Sequence, residues 1–390
     1  MTDLPVVFVP GLGGSFNLGV LLDLSGPTIN GWSFPPFVDY GQQFLRTLTS
    51  AGYVRDRTLF VAFYDWRKPV DDSARLYLVP WLDRALKRSG RDKVILVAHS
   101  MGGLVARAYV QSRDYRGDVA QVITLGTPHR GTPVGYFPWE GGDLRWDGIA
   151  RVALEVYLWY LGHLHPFQTA LDPLAVIRTQ ARGLRDVLPI YDYLFSQGPP
   201  LKVKPEDQMV EQNGWGELVN APLALDTLFG RTKMSTINGT GFTTLESIVV
   251  QAPPQPPGTP PRYPDGRPVA EQSDALGDGT VPLASAAMTD SRCHNLPPLT
   301  IPHGSLPDLA AAQVLAELNV AAPATPAPRA ATPRLVFLTA SPVEITVELP
   351  PEEPVVAQAA AAPGTRRRRR RPTRPRTHQH GHPAKRYTMV

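Results

Sequence analysis

A single cysteine, Cys293, stands in the 390 residues of the sequence. That excludes an intramolecular disulfide and a zinc cage built on thiolates. Charged residues are also few, 19% against 43% hydrophobic, so a sizeable core is available and wholesale disorder is excluded. Long apolar runs are missing. The most apolar long stretch, Ile149 to Leu164, is broken by Arg151 and Glu155 and falls short of the roughly 20 residues that cross a bilayer. The amino terminus has neither the charged nor the apolar region of a secretory leader, since Met1-Thr2-Asp3 runs straight into Pro5–Val9. The expectation is a soluble protein without a transmembrane segment, cytoplasmic as written and secreted if an upstream leader was removed.

Acidic residues vanish at the carboxy-terminal end. From Arg366 onward there are ten Lys and Arg and no Asp or Glu, so a formal net charge of +4 leaves −6 on the chain ahead of that tail. A globally basic nucleic-acid-binding domain is therefore excluded for the chain as a whole, and nucleic acid is not an expected partner of the core. No spacing of His, Asp and Glu resembles a metal site, and no G-x-G-x-x-G precedes a downstream acid as in dinucleotide sites. No metal and no other cofactor is expected.

What is present is an alternation. Val6–Val9, Leu59–Phe63, Val94–Val97 and Val122–Leu125 are short, continuously apolar runs of the kind that form buried parallel strands. Helical patterns lie between them, at Gly41–Ala51 and at Asp71–Ser89, where Pro80 marks a kink. This predicts an α/β fold, a mostly parallel sheet with helices on both faces. The rhythm breaks after Gly131. Residues 132–230 hold one long helical run, Gly148–Leu164, and no clear strands, and read as a helical cap or lid inserted into a core of residues 1–131 and 231–320. Met234–Ile237, Ser247–Val250 and Leu299–Ile301 read as further strands and Leu306–Leu318 as a closing helix, while Ala252–Pro268, with eight prolines, reads as an irregular loop. Residues 321–333 form an Ala/Pro linker. Residues 334–350 form a small hairpin of Leu335–Leu338 with Val343–Val347, and 351–390 a disordered basic tail.

The strongest local signal is Val94-Ile-Leu-Val-Ala-His-Ser100-Met-Gly-Gly-Leu. A strand ends, a serine follows, and a helix begins at once, which is the nucleophile elbow of serine hydrolases. Small residues, here Ala98 and Gly102, flank the serine so that the tight turn fits. The helix start favours developing negative charge, and the Met101 N–H is placed to act as an oxyanion donor. A second donor is expected from the loop after the first strand. Val9-Pro10-Gly11-Leu12-Gly13-Gly14-Ser15 is such a loop, with Leu12 the natural donor; it lacks the Lys-Ser/Thr of a phosphate-binding loop.

Together, VPGLGGS, Tyr64-Asp65-Trp66-Arg67, His99-Ser-Met-Gly-Gly103, Gly126-Thr-Pro128 and Gly277-Asp-Gly-Thr-Val-Pro282 resemble the lecithin:cholesterol acyltransferase family, in that family's order and over about four fifths of the chain. The resemblance implies an α/β-hydrolase fold, Ser100 as nucleophile, Asp278 as acid, His303 as base, and Leu12 and Met101 as the oxyanion hole. It further implies a lipidic or other carboxylic ester as substrate, with the acyl group passing to water or to an alcohol. An inactive hydrolase scaffold that binds lipid or protein is the reading from another class.

The residues themselves support the same acid and base. In such folds the chain order is Ser, then Asp or Glu, then His. Asp278 sits between two glycines ahead of Val281-Pro282, with Asp274 and Asp290 as weaker rivals. His303 follows a short apolar run and precedes Gly304, whereas its rival His294 has no such context. Trp66 and Arg67 are candidates for the substrate rim; a buried Asp65–Arg67 pair bracing the loops is the competing reading. Gly148–Leu164 is apolar almost all round, so it is either a lid that offers an apolar face to acyl chains and a membrane surface or the core of a cap.

The run Arg366–Arg371 reads as a solvated tail or as a contact for nucleic acid or an anionic membrane. Deleting residues 366–390 should leave turnover of a short soluble ester unchanged and weaken binding to anionic vesicles, or to nucleic acid, with a shallower salt dependence. Loss of the short-ester activity on truncation would make the tail part of the fold.

Overall fold

The computed structural model describes residues 4–35, 40–145, 148–165, 171–252 and 262–323, and the backbone of two strands beyond them. Six strands form one parallel sheet, in the order β10-β7-β4-β3-β1-β2. They are β1 (Val6–Val9), β2 (Leu59–Val61), β3 (Val94–His99), β4 (Val119–Leu125), β7 (Lys233–Ile237) and β10 (His294–Asn295). β1 and β3 are buried along their whole length, as strands covered on both faces must be. The order reverses after β1: the chain first moves outward to β2 and then back past β1 to β3 and β4. Right-handed crossovers therefore put the intervening helices on opposite faces.

Among the helices are α1 (Leu18–Leu21), α2 (Gln42–Ser50), α3 (Val70–Ser73), α4 (Val79–Ser89), α5 (Met101–Gln111) and α6 (Gly148–Leu164). They continue with α7 (Pro173–Gln180), α8 (Gly214–Asn220), α9 (Pro222–Arg231), α10 (Leu283–Ala286), α11 (Leu306–Leu309) and α12 (Ala311–Glu317). α5 lies against β3 and β1 with α3 beside it, while α2 packs with α11 and α12. The expected helix over 71–89 is divided by a π-helical turn, Ala74–Leu78. Pro80 has no N–H and its ring would strike the Leu76 carbonyl, and the wider turn relieves that conflict.

Several expectations are corrected. Leu299–Ile301 contributes a single bridge, Gly239 to Leu299, and the edge strand is β10 instead. The closing helix is two helices, α11 and α12, separated at Ala310. A second sheet, β6-β5-β8-β9, joins β5 (Leu194–Ser196) and β6 (Lys202–Lys204) to β8 (Thr244–Gln251) and β9 (Arg267–Asp274). Residues 132–230 thus contain two strands, and the boundary expected at 231 runs through a hydrogen-bonded sheet. Pro268 belongs to β9 rather than to the irregular loop; residues 253–261 of that loop lie outside the described residues. In the carboxy-terminal unit, Ile345–Glu348 pairs antiparallel with Arg386–Met389. The β-branched and aromatic residues of both segments suit a strand, so the partner differs from the expected hairpin and the last residues of the tail are not all irregular. Leu335–Leu338, the linker residues 324–333 and residues 351–385 lie outside the described residues.

The cap is anchored through a buried carboxyl group. Glu140, in the turn Phe137–Gly141, accepts from the Asp265 N–H at 3.3 Å, and its other oxygen has no partner. Burial, and then the negative charge of Asp265, push its pKa up to about 9. A carboxyl raised on folding holds its proton in the native state while the unfolded chain has lost it, so stability falls as pH rises from about 4.5 to about 9. Glu140→Gln should flatten that decline in denaturant titrations across this interval. An unchanged slope would place the proton elsewhere.

Candidate active site

In a sheet whose strand order reverses, the crevice at the carboxyl ends of the strands flanking the reversal is the natural ligand site. Here those strands are β1 and β3. β1 ends in the Gly11–Gly14 turn, closed by a Gly14 N–H to Gly11 C=O bond of 3.0 Å with Gly13 at φ 71°. β3 is followed at once by Ser100, whose φ is 53° although it carries a side chain. Helix α5 starts at the next residue and crosses β1 closely. A Cβ on Gly102 would lie 2.4 Å from the Pro10 carbonyl oxygen, and one on Gly103 would lie 2.0 Å from Thr127 Oγ1.

Three residues from distant parts of the chain meet over this turn. The Ser100 hydroxyl lies 2.9 Å from His303 Nε2, and His303 Nδ1 donates to Asp278 Oδ2 at 2.7 Å. Asp278 is buried, and its other oxygen accepts from the N–H groups of Thr280 at 3.0 Å and Val281 at 2.8 Å. The His303 N–H also donates to the Asp278 carbonyl at 2.9 Å, which ties the two loops together. Gly126, after β4, makes room for the pair, since a Cβ there would sit 2.8 Å from Asp278 Oδ2. The rivals lie apart from this row. Asp274 accepts from the Leu276 N–H, Asp290 pairs with Arg292, and exposed His294 pairs with Glu317 at 3.1 Å.

Leu12 and Met101 line the same cleft as Ser100, and among the described residues no acceptor is bonded to the N–H of either. The cleft has a volume of about 110 Å³ and runs beneath the cap between Val134, Leu158, Leu161, Ile177 and Leu184. Its walls are overwhelmingly apolar. Helix α6 forms part of them with Tyr157, Leu158 and Leu161, while its Val156, Trp159 and Leu164 are exposed. The helix is thus a cleft wall and an apolar surface at once. No helix among the described residues is long and apolar enough to cross a membrane.

Trp66 and Arg67 also border the cleft. The Arg67 guanidinium, however, is fully engaged. It forms a two-pronged pair with buried Asp65 at 2.9 Å, donates to the carbonyls of Val20 and Leu21, and reaches Asp23 at 3.1 Å. Burial opposes its charge, but the Asp65 bond and charge raise its pKa above the ordinary guanidinium value. The pair braces the loops, and Tyr157 completes the contact from α6 by donating to the Leu21 carbonyl at 2.8 Å.

Two neighbours had no functional reading in the sequence. His99 and Tyr40 lie directly behind the row, at 2.9 Å from one another. His99 was visible only as part of the elbow motif, and nothing in the sequence around Tyr40 signals the site. A third buried group, Arg107 on α5, donates to the Val219 carbonyl at 2.8 Å and lies 3.2 Å from His129 Nδ1, which holds the loop after β4 against α8.

Residues 38–142 match the lecithin:cholesterol acyltransferase family. The matched segment is well under half of the chain. It takes in the YDWR, HSMGG and GTP motifs, while VPGLGGS and GDGTVP lie outside it. Phospholipase A(1) LCAT3 of Arabidopsis thaliana is 37% identical over 92 residues, 23% of this chain and 21% of that protein. A GPI inositol-deacylase of Coccidioides immitis is 31% identical over 148 residues, 34% of this chain and 12% of its own. A triacylglycerol lipase of Pseudarthrobacter phenanthrenivorans is 33% identical over 104 residues, 26% of this chain and 32% of its own. The chain thus spans less than a third of the length of each of these relatives. Among solved structures, the mature lipase BlEst2 of Bacillus licheniformis aligns over 81% of this chain and 92% of its own, at 18% identity and a TM-score of 0.44. The α/β-hydrolase fold itself is given by the sheet order, the strand-end serine and the cap inserted after β4.

Arg67→Ala should leave the Asp65 carboxylate buried with the residue-67 N–H but without a cationic partner, a change that costs about 3–5 kcal/mol. Urea unfolding of the variant should show a loss of that size. A stability near that of the native protein, with KM alone changed, would return Arg67 to the substrate rim.

Proposed function

We propose that the protein is a serine ester hydrolase that acts through an acyl-enzyme on lipid-type carboxylic esters. The observation that carries this reading is the continuous row from Asp278 through His303 to Ser100 at the floor of an apolar cleft. Ser100 Oγ attacks the ester carbonyl while His303 Nε2 takes its proton. Asp278 Oδ2 keeps the other ring nitrogen protonated and favours the imidazolium. The N–H groups of Leu12 and Met101 donate to the oxyanion of the tetrahedral intermediate. His303 then passes the proton to the leaving alkoxide oxygen, and the ester C–O bond breaks. Water, deprotonated by the same histidine, cleaves the acyl-enzyme and restores Ser100.

The apolar walls and the matched relatives, named as a phospholipase, a deacylase and a lipase, favour an acyl chain as the group held in the cleft. An alcohol in place of water at the last step would make the same row an O-acyltransferase. The basic tail and the exposed side of α6 suit a transient contact with a lipid surface.

Ser100→Ala and His303→Ala should each lower kcat on a short ester by on the order of 10⁴-fold, and Asp278→Asn by a comparable factor. Asp274→Asn and His294→Ala should remain active. Incubation with a labelled phospholipid, with and without an alcohol, should give free fatty acid in both. A dominant alcohol ester would assign transfer, and activity retained in Ser100→Ala would remove the reading.

A further inference from the structure

His99 and Tyr40 form a relay whose hydrogen-bond directions are all determined. His99 Nε2 lies 2.9 Å from the His303 carbonyl oxygen. A carbonyl can only accept, so His99 donates from Nε2, and in the neutral ring Nδ1 is then the bare acceptor. Nδ1 lies 2.9 Å from the Tyr40 hydroxyl, which must therefore donate to it. The Tyr40 oxygen in turn accepts from the Gly11 N–H at 2.9 Å. One tautomer satisfies every group, and the relay runs from the turn that carries Leu12 to the backbone of the base.

The surroundings hold both ends. Tyr40 precedes α2, and the first turn of that helix is gripped by Asp308, which accepts from the N–H groups of Gly41 at 3.1 Å and Phe44 at 2.7 Å. Asp308 lies on α11, five residues after His303. The path closes on itself: His303, α11, Asp308, Gly41, Tyr40, His99 and back to the His303 carbonyl. Gly11 is tightly seated too, since a Cβ there would come within 2.8 Å of Ser100 Cβ and 2.9 Å of His99 Nδ1. With its N–H held by Tyr40 and its carbonyl held by the Gly14 N–H, the Gly11–Leu12 peptide has one orientation, which sets the direction of the Leu12 N–H. Burial, and then the nearby His303, hold the His99 pKa well below the ordinary imidazole value, so the ring remains the neutral tautomer the relay requires.

We propose that Tyr40 and His99 are positioning residues that couple the oxyanion turn to the general base. They act through hydrogen bonds alone and exchange no proton with substrate. This rests on the ester-hydrolase reading above. Misplacement of a donor costs less than its deletion, which is worth about 10²–10³ in kcat.

The test compares Tyr40→Phe, His99→Leu and His99→Gln on a short soluble ester, with fluorophosphonate labelling of Ser100 beside it. Tyr40→Phe and His99→Leu should lower kcat by about tenfold or more with KM within about twofold, and slow the labelling in parallel. Glutamine offers one donor and one acceptor, so His99→Gln should recover most of the loss with an unchanged pH profile. Tyr40→Phe keeps the ring against Phe8 and Phe34 and decides the matter if His99→Leu does not fold. Values of kcat and labelling within twofold of the native enzyme for Tyr40→Phe overturn the proposal. So does His99→Gln as impaired as His99→Leu, which would make the ring itself chemically active. Native protein that neither labels nor turns over ester removes the hydrolase reading, and the positioning role falls with it.

Discussion

Strand β3 has to become helix α5 across one residue, and the placement of the reacting groups follows from that turn. Ser100 is held at φ 53° and ψ −130°, outside the basins that side-chain-bearing residues prefer, at a cost of order 1–3 kcal/mol. The conformation survives because its neighbours leave no alternative. The Ser100 N–H donates to the Leu125 carbonyl at 2.9 Å and the Gly103 N–H donates back to the Ser100 carbonyl at 3.0 Å. Helix α5 can lie this close to β1 and to Thr127 only because Gly102 and Gly103 lack a Cβ. Several glycines of the motifs thus serve one steric demand, and the demand puts a hydroxyl and a helix start at a single point.

Charge around that point is confined by pairing. Asp278 receives three donors, Arg67 is consumed by Asp65, Asp23 and loop carbonyls, and Arg107 by helix ends and side-chain acceptors. The cleft is left apolar, with little polar surface besides Ser100. On the proposed reading, an ester carbonyl entering it meets directed hydrogen bonds in a low-dielectric surrounding, where such dipoles count for most.

The parts of this arrangement that were legible in the sequence are those where local backbone geometry demands particular residues. The elbow, the Gly11–Gly14 turn and the Gly-Asp-Gly loop are of this kind, and so are the apolar runs of the parallel sheet. The second sheet was not legible. Lys202-Val-Lys204 is short, and Arg267–Asp274 is polar and mostly exposed, so neither carries a strand's apolar signature; pairing with neighbours makes them strands. Tyr40 was illegible for another reason. Its role comes from meeting a residue 59 positions away in the chain, and no local pattern encodes such a meeting. Arg67 illustrates the middle case, since YDWR allows both a rim residue and a buried Asp65–Arg67 pair, and geometry shows the pair at the border of the cleft.

The second sheet also bears on how this protein can be re-engineered. β5, from the inserted segment, pairs parallel with β8 through Leu194 with Ile248, Phe195 with Val249 and Ser196 with Val250. β8 in turn runs antiparallel to β9, which leads into the loop of Asp278. Excising residues 132–230 to make a minimal, uncapped enzyme would therefore strip β8 of a partner and leave a Val- and Ile-rich edge open to other chains. The cap is not a detachable module, and a chimera that exchanges it would have to bring its own strand to cover that edge.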